Sequence, residues 1–493
     1  MRQKHVAFVP TWAVLTAALA GCAVGPDFPT PPAPAVTRYT AEALPAATAE
    51  APTLGGVAQR WAEGAEIPLR WWTCFGSPEL NTLVDAAVQA NPDLEAAEAA
   101  LRGAQENVLA QQGAYFPSVD AHLMPSRQRI AAPLASPASS GATYYTLHTG
   151  QLSIGYAPDV FGANRRQVES LQAQAEAQRF QREAVYLTLT TNIVVAAIQE
   201  SSLRAQIAAT HTLIEAAARQ LDLVRRQQVL GQLGAADVSA QEAVLAQARA
   251  SLPPLELQLA QQRDLLSVLA GRSPAAGIRQ RFELAALSLP QDLPVSLPSR
   301  LVEQRPDIRA AQAQWHAASA QIGVAKAARL PSFTLTATLG GAAETLGQML
   351  KTGAGFWSAG ADIAQPLFRG GALAHRERAA QAAYEQAAAQ YRSTVLSAFQ
   401  EVADTLHAID ADARRVQAVA AAENAASRSL RIAQRQWQVG AVGYPAVLMA
   451  QQAHAQSVIA LVQAQAARFT DTAALYQALG GDWQQRDSLS ANP

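Results

Sequence analysis

Two long stretches without proline or glycine dominate the pattern of apolar and polar positions. They cover residues 163–230 and 372–439, about 68 residues each. A continuous helix over such a run would extend roughly 100 Å at 1.5 Å per residue. In the second stretch the apolar positions step by four and three residues, at Val395, Phe399, Val402, Leu406 and Ile409. This spacing is typical of coiled coils, so we predict two long helices packed against neighbouring helices.

A pair of strands is predicted before each long helix. In the second pair, Phe333, Leu335 and Ala337 alternate with threonines, and the first pair alternates in the same way. A period of two gives a strand one apolar and one polar face. The predicted strands cover residues of about 118–127, 143–158, 332–341 and 355–367.

The chain contains an internal repeat. Pro92 and Pro306 are 214 residues apart, and so are Pro117 and Pro331. We therefore predict two copies of one unit, each running helix, strand, strand, long helix, helix, over residues 80–290 and 291–493. The expected fold class is mostly α with a β portion.

The amino terminus is predicted to be an export signal. Arg2 and Lys4 precede a mostly apolar run of about 15 residues, which is too short for a comfortable membrane span. Residues 19–22, Leu-Ala-Gly-Cys, resemble the cleavage box of bacterial lipoproteins. We predict that residues 1–21 are removed and that Cys22 is acylated. The alternative is an ordinary signal peptide with an incidental cysteine.

The mature chain is expected to begin with a lipid-anchored arm over residues 22–79. Residues 27–68 are rich in proline, alanine and threonine, a composition that favours an extended segment. Ala23 follows the cysteine, whereas bacterial lipoproteins held at the inner membrane tend to carry Asp at that position. The arm therefore permits attachment to the outer membrane.

Composition and charge exclude several classes of function. With 38 basic and 39 acidic residues, the formal net charge of −1 provides no basic field for nucleic acid. Two cysteines cannot form a disulfide scaffold, and Cys74 is expected to be a buried, inert thiol. The eight histidines are scattered, and no phosphate-binding glycine loop or paired-histidine zinc helix is found. We expect no enzymatic activity, no metal and no cofactor apart from the lipid on Cys22.

The predicted strands require assembly if they cross a membrane. Beyond the signal no run approaches 18 apolar residues, and four strands cannot close a barrel, since the smallest have eight. Open strand edges in lipid would leave backbone groups unpaired. Two, three or four copies would give eight, twelve or sixteen strands, and the long helices of the same copies would close into a tube.

The motifs resemble those of a known family. They are Cys22–Phe28, Trp71–Leu80, Arg305–Ile308 and Pro366–Gly371, in this order. The chain resembles the TolC-like outer-membrane efflux channels, in the lipoprotein (OprM/NodT-type) branch of tripartite systems. The resemblance implies a homotrimer with a 12-stranded β-barrel over a 12-helix periplasmic α-barrel. It also implies partners, namely a periplasmic adaptor, an inner-membrane pump and outer-membrane lipid.

The resemblance further implies a gate at the periplasmic tip, commonly ringed by carboxylates. Asp237 is retained, whereas Ala446 and Met449 stand where relatives often carry Asp. Met449 could supply a hydrophobic constriction instead, because apolar rings can gate by dewetting. The alternative for Asp237 is a helix N-terminal acid favoured by the dipole.

Two turns that contain glycines are the predicted docking tip for the adaptor. They hold Gly231 and Gly234 in the first repeat and Gly440 and Gly443 in the second. Glycine permits tight turns and close backbone approach. The alternative is simple C-capping of the helices, and both roles can hold together.

The predicted function is passive conduction of small molecules such as drugs, dyes and detergents from the periplasm to the exterior. The open alternative is the outlet of a protein secretion or metal efflux system with the same architecture. A structural or adhesive coiled coil is a further class, but it would not need alternating strands at matching places in both repeats.

Overall fold

Both stretches without proline or glycine form long helices in the computed structural model, which describes residues 23–32, 34–131 and 143–484. The helices are α1 (Pro78–Ala90), α2 (Pro92–Gln112), α3 (Ala163–Val229), α4 (Ala235–Ala250), α5 (Leu252–Leu269), α6 (Pro298–Gln304), α7 (Pro306–Ala327), α8 (Leu346–Met349), α9 (Ala372–Gln438) and α10 (Tyr444–Ala478). Helices α3 and α9 have 67 residues each. The prediction of a mostly helical chain with two long helices is confirmed.

Prolines begin four of these helices, at positions 78, 92, 298 and 306. The first N–H of a helix has no partner within the helix, so proline loses nothing there. Ser77 caps α1, because its Oγ accepts the N–H of Leu80 at 3.2 Å. No helix in the described part of the chain is long and apolar enough to cross a bilayer.

Within the residues that the structure describes, six strands form two sheets. They are β1 (Arg60–Glu63), β2 (Ser118–Arg129), β3 (Tyr144–Tyr156), β4 (Asp292–Val295), β5 (Ser332–Ala343) and β6 (Gly355–Ala364). Strands β2, β3, β5 and β6 form an antiparallel sheet in that order, and β1 pairs with β4 in parallel. Strand β6 ends at Ala364 and not at residue 367, because Pro366 cannot donate to a ladder.

The four-stranded sheet has two chemically different faces. Val119, Ile154, Ala337 and Ala359 lie in one row across the four strands, on the same face as Leu123, Leu152, Leu335, Leu339, Trp357 and Ile363. Those apolar side chains are exposed, with Leu339 at 63 % and Trp357 at 78 %. The opposite face is mainly polar and carries Asp120, His122, Gln151, Ser153, Thr334, Thr336, Thr338 and Asp362, together with Met124, Leu147 and Phe356. Each end strand, β2 and β6, has one edge that pairs with no strand of the described chain.

The chain divides into two compact units. The first holds residues 23–31, 101–131, 143–178 and 311–391, and it contains the four-stranded sheet. The second holds residues 32–100, 179–310 and 392–484 where described, and it contains the β1–β4 pair and both turns between long and short helices.

The amino-terminal arm is packed more closely than its composition indicates. Arg468 of α10 is fully buried, and its guanidinium donates to the carbonyl oxygens of Gly55 at 2.7 Å and Val57 at 2.6 Å. It also donates to Thr48 Oγ1 at 2.9 Å. Further along, Trp71 is fully buried and stacks on Tyr476 at 5.1 Å between ring centroids. Residues 48–75 of the arm therefore contribute to the second unit's core.

Replacing the Arg468 guanidinium should loosen the arm. Arg468→Met keeps the apolar stem but leaves the Gly55 and Val57 carbonyls without their donor, which we expect to cost about 2–4 kcal/mol. Thermal unfolding in detergent and the rate of proteolysis within residues 48–59 would measure it. Arg428→Met, on the exposed surface of α9, is the control and should change neither. Equal effects of the two variants would contradict the assignment.

Candidate functional site

The two turns between helices share one backbone design. Gly231 and Gly440 follow α3 and α9 with φ of 73° and 76°. In the first turn Gly231 N–H bonds to Gln228 O at 2.9 Å and the next N–H bonds to Gln227 O at 2.9 Å. The second turn repeats both bonds 209 residues later, at 2.9 and 2.8 Å. These are Schellman caps, in which positive φ favours glycine.

The second glycine of each turn has a different task. Gly234 and Gly443 are the N-caps of α4 and α10, with extended backbones at φ −89° and −75°. Any residue adopts such angles, so the backbone does not require glycine there. A Cβ at Gly231 or Gly440 would meet no other atom of the described chain within 4 Å. The predicted C-capping role is therefore present at Gly231 and Gly440, and both positions border open space.

Asp237 is engaged in helix capping. Its Oδ2 accepts the N–H of Gly234 at 3.0 Å, while its own N–H donates to Gly234 O at 3.2 Å. The carboxylate thus occupies the third position of α4, where it also favours the positive end of the helix dipole. The geometry supports the capping alternative, and a role in gating is a separate proposal.

Ala446 is the structural counterpart of Asp237. It is the third residue of α10, and its N–H donates to Gly443 O at 3.1 Å, as in the first turn. Alanine supplies no carboxylate for the Gly443 N–H, so the second turn lacks half of the capping box. Met449, one turn further on, is 72 % exposed. Ala446 and Met449, which stand where an acidic residue is expected from the resemblance, thus lie on one turn of α10.

A shared core lies beneath the two turns. Its members come from α3, α4, α9 and α10 and are Ala217, Leu221, Val224, Val238, Leu245, Ala433, Trp437, Tyr444, Val447 and Ala450. Tyr444 packs on Trp437 at 5.1 Å between ring centroids, and its hydroxyl donates to Gln241 Oε1. Gln241 in turn donates to Ala217 O at 3.0 Å. Burial raises the pKa of Tyr444, which keeps this hydroxyl a neutral donor.

Two exposed apolar residues beside the turns were missed by sequence reasoning. Leu230 and Val439 immediately precede Gly231 and Gly440, and they are 70 % and 79 % exposed. Because they occupy matching positions, each turn carries an exposed apolar side chain directly before its helix-ending glycine. The signal was present as an apolar residue directly before a helix-ending glycine in both repeats.

A carboxyl pair lies within the second unit, away from the turns. Asp412 of α9 and Asp471 of α10 lie near each other, and each carboxyl acts on the pKa of the other. Burial raises the pKa of both groups, and repulsion from Asp412 helps to raise the pKa of Asp471 to about 6. Arg415 and Arg468 are the positive groups that act on Asp412.

No cluster of metal-ligating side chains is found within residues 23–32, 34–131 and 143–484. Cys74 is half-buried and unbridged. Cys22 lies outside the described residues, as does the predicted signal over residues 1–21, so both stay predictions from the sequence.

Comparison with known proteins identifies the family. The family model described as "Outer membrane efflux protein" matches residues 83–272 and 297–481. The chain belongs to this family. The resemblance that the sequence motifs carried is thereby confirmed, and so is location in the outer membrane. The protein is an outer-membrane efflux channel of the kind found in efflux pumps.

Named relatives cover most of the chain. It is 30 % identical over 419 residues to the pyoverdine export outer membrane protein OpmQ of Pseudomonas aeruginosa, covering 84 % of this chain and 88 % of the relative. It is 29 % identical over 475 residues to the toluene efflux pump outer membrane protein TtgC of Pseudomonas putida, covering 96 % and 95 %.

Solved structures agree on the fold. The outer-membrane channel OprN is 25 % identical with a TM-score of 0.82, over 94 % of this chain and all of that one. The outer membrane protein VceC of Vibrio cholerae is 28 % identical with a TM-score of 0.78, over 85 % of this chain and all of that one.

Acidification should act on the Asp412–Asp471 pair. The native pKa of Asp471, about 6, exceeds its ordinary value of 3.8, so between these values the native state binds more protons than the unfolded state. The free energy of unfolding should therefore fall as pH rises through this window. Asp471→Asn should flatten that dependence and raise stability at pH 8, measured by urea or thermal unfolding at several pH values.

Asp410→Asn is the matched control, because Asp410 pairs with Arg414 at 3.0 Å on the same helix. It should leave the dependence between pH 4 and 6 unchanged. An unchanged pH profile in Asp471→Asn would contradict the raised pKa of Asp471.

Proposed function

We propose that three copies pool their four-stranded sheets into one 12-stranded barrel in the outer membrane, continued by a tube of long helices. The carrying observation is the sheet itself, which exposes an apolar face and has two edge strands without a partner in the described chain. In hydrocarbon an unpaired backbone group costs several kcal/mol, so joining β2 of one copy to β6 of the next supplies the missing bonds. The polar face would then line the lumen.

The number of copies follows from the lumen required. Two copies would give eight strands, whose interior is filled by side chains, whereas twelve leave room for a passage. Family membership supports the trimer, with a periplasmic adaptor and an inner-membrane pump as partners. Transport energy would come from the pump, since the channel conducts passively.

The substrates are proposed to be small organic molecules. The names of relatives support this, because they include a toluene efflux protein and a pyoverdine export protein. The even charge balance of the chain fits a conduit with no single ionic cargo.

The periplasmic gate is proposed to lie at the two helix turns, with Asp237, Ala446 and Met449 at the constriction. The exposed Met449 thioether would supply an apolar ring that sheds water when the tip is narrow. The two turns rest on one core, so movement of one hairpin would displace the other.

The same turns are proposed as the adaptor-docking tip. Gly231, Gly234, Gly440 and Gly443 would let a partner approach the backbone, and Leu230 and Val439 would give it apolar contact. Support comes from the open space next to Gly231 and Gly440.

Charge on the two sheet faces should have opposite consequences. Leu339→Lys puts a cation on the proposed lipid face, where it should cost about 2–4 kcal/mol near the midplane and reduce insertion. Thr338→Lys, the adjacent residue on the polar face, should insert normally. Outer-membrane fractionation and heat-modifiable migration of the trimer would measure both. Normal insertion of Leu339→Lys would contradict the proposed lipid-facing side.

A bulky residue at the tip should block docking without unfolding the channel. Gly234→Trp fits the extended backbone at this position, so we expect normal trimers but loss of pump-dependent drug resistance and of adaptor cross-linking. Ala250→Trp, exposed at the far end of α4, is the control and should retain resistance. Resistance at the wild-type level in Gly234→Trp would refute docking at this turn.

A further inference from the structure

The first residues of the described chain are held in a built site within the first unit. The Arg166 side chain, 8 % exposed, donates to Val24 O at 3.2 Å and Gly25 O at 3.4 Å. It also pairs with Asp27 at 2.8 Å. One guanidinium therefore contacts two backbone carbonyls and one carboxylate within residues 24–27. These contacts fix the course of the amino-terminal segment.

The carboxyl end of this segment is held by aromatic contacts. Phe28 stacks on His316 at 4.8 Å and meets Trp315 edge-on at 5.2 Å. Glu169 bonds to Arg166 at 2.7 Å and to His316 at 3.0 Å, so it joins the two contacts. The segment is thus fixed along its length.

Its amino end lies against the junction between β3 and α3. Val24 N–H donates to Phe161 O at 3.1 Å. Ala23 lies directly over Gly162, where a Cβ would come within 2.7 Å of Ala23 Cα. A Cβ at Gly323 would come equally close to Val24 O. Close approach therefore depends on these two glycines, and it brings the chain to Phe161.

Phe161 also lines a cavity of about 510 Å³ at the end of the sheet nearest the helices. The apolar part of its lining includes Val160, Leu330, Pro331 and Phe333. Phe333 lies on the apolar face of β5, and its ring is 6.3 Å from that of Phe161. Among the polar lining groups, Asp159 is already used, since its carboxylate accepts the N–H groups of Asn164 and Arg165 at the start of α3.

We propose that this cavity holds an acyl chain carried by Cys22. The inference rests on the acylation predicted from the sequence for Cys22, the residue directly before Ala23. Consecutive Cα atoms are about 3.8 Å apart, so Cys22 follows a residue that packs on Gly162, which lies between the lining residues Phe161 and Ala163. The lining is mostly apolar, which favours burial of hydrocarbon, and a tethered chain has a much higher effective concentration there than free lipid. The lipid would thus be part of the folded sheet–helix junction as well as an anchor.

A photoreactive fatty acid tests this in the intact protein. Cells that produce the full chain are fed a diazirine-bearing fatty acid, irradiated, and the purified protein is digested and analysed by mass spectrometry. We expect the Cys22 peptide to be cross-linked to peptides that contain Phe161 or Phe333. Ala328→Trp, which fills the cavity from an exposed lining position, should lower that yield severalfold.

Ala121→Trp is the matched control, because it adds the same side chain to an exposed alanine on the apolar face of β2. It should leave the yield unchanged. An acylated Cys22 whose cross-links reach only membrane lipid or other parts of the sheet would overturn the inference while leaving the channel function intact. Unmodified Cys22 in a strain with normal drug efflux would overturn both acylation and this site. If the wild-type protein gave the expected cross-links but supported no drug efflux, that result would count against the proposed function alone.

Discussion

Backbone hydrogen bonding at the two edges of the four-stranded sheet is the constraint on which the other features depend. Strands β2 and β6 have twelve and ten residues, and each offers a row of N–H and C=O groups along one side. Water can satisfy such groups but hydrocarbon cannot. The exposed apolar face next to them is unsuited to water, so the sheet is stable in neither solvent as a single copy. Association of copies removes both difficulties with one set of strand pairs.

The two helix turns share one backbone conformation but carry different side chains at the third helical position. Both turns end a 67-residue helix with a glycine at positive φ and begin the next helix from an extended glycine. The first adds a carboxylate at the third helical position and the second adds a methyl group. The turn itself does not depend on the acid, so this position is free to differ between the two halves of the chain.

Much of the fold could be predicted because its signals are local. A long stretch without proline or glycine can only be helix here, and alternation in Phe333–Thr338 can only be strand. The β1–β4 pair was missed because its parallel partners, Arg60 and Asp292, are far apart in sequence and each strand has only four residues. From the sequence, Arg468 is expected on the surface of an Ala-rich helix. It is buried only because the arm folds against it, which no local pattern indicates.

The site residues differ in the same way: those with a local sequence signal could be assigned, and those that depend on contacts between distant segments could not. The glycines at 231 and 440 could be assigned to helix ends from the sequence, since helix-ending glycine has a fixed geometry. Asp237 could not be assigned, because a capping acid and a gate acid have the same local pattern. The Asp412–Asp471 contact was invisible, since it depends on which faces of α9 and α10 meet.

The methyl group of Ala446 bears on how the tip would treat ions. A threefold ring of these turns would carry three carboxylates where an acid in both turns would give six. Each of the three carboxylates would already accept an N–H at a helix start, which partly compensates its negative charge. The electric field at the opening would then be weak, and selection would depend on the width and wettability of the passage more than on the sign of the solute.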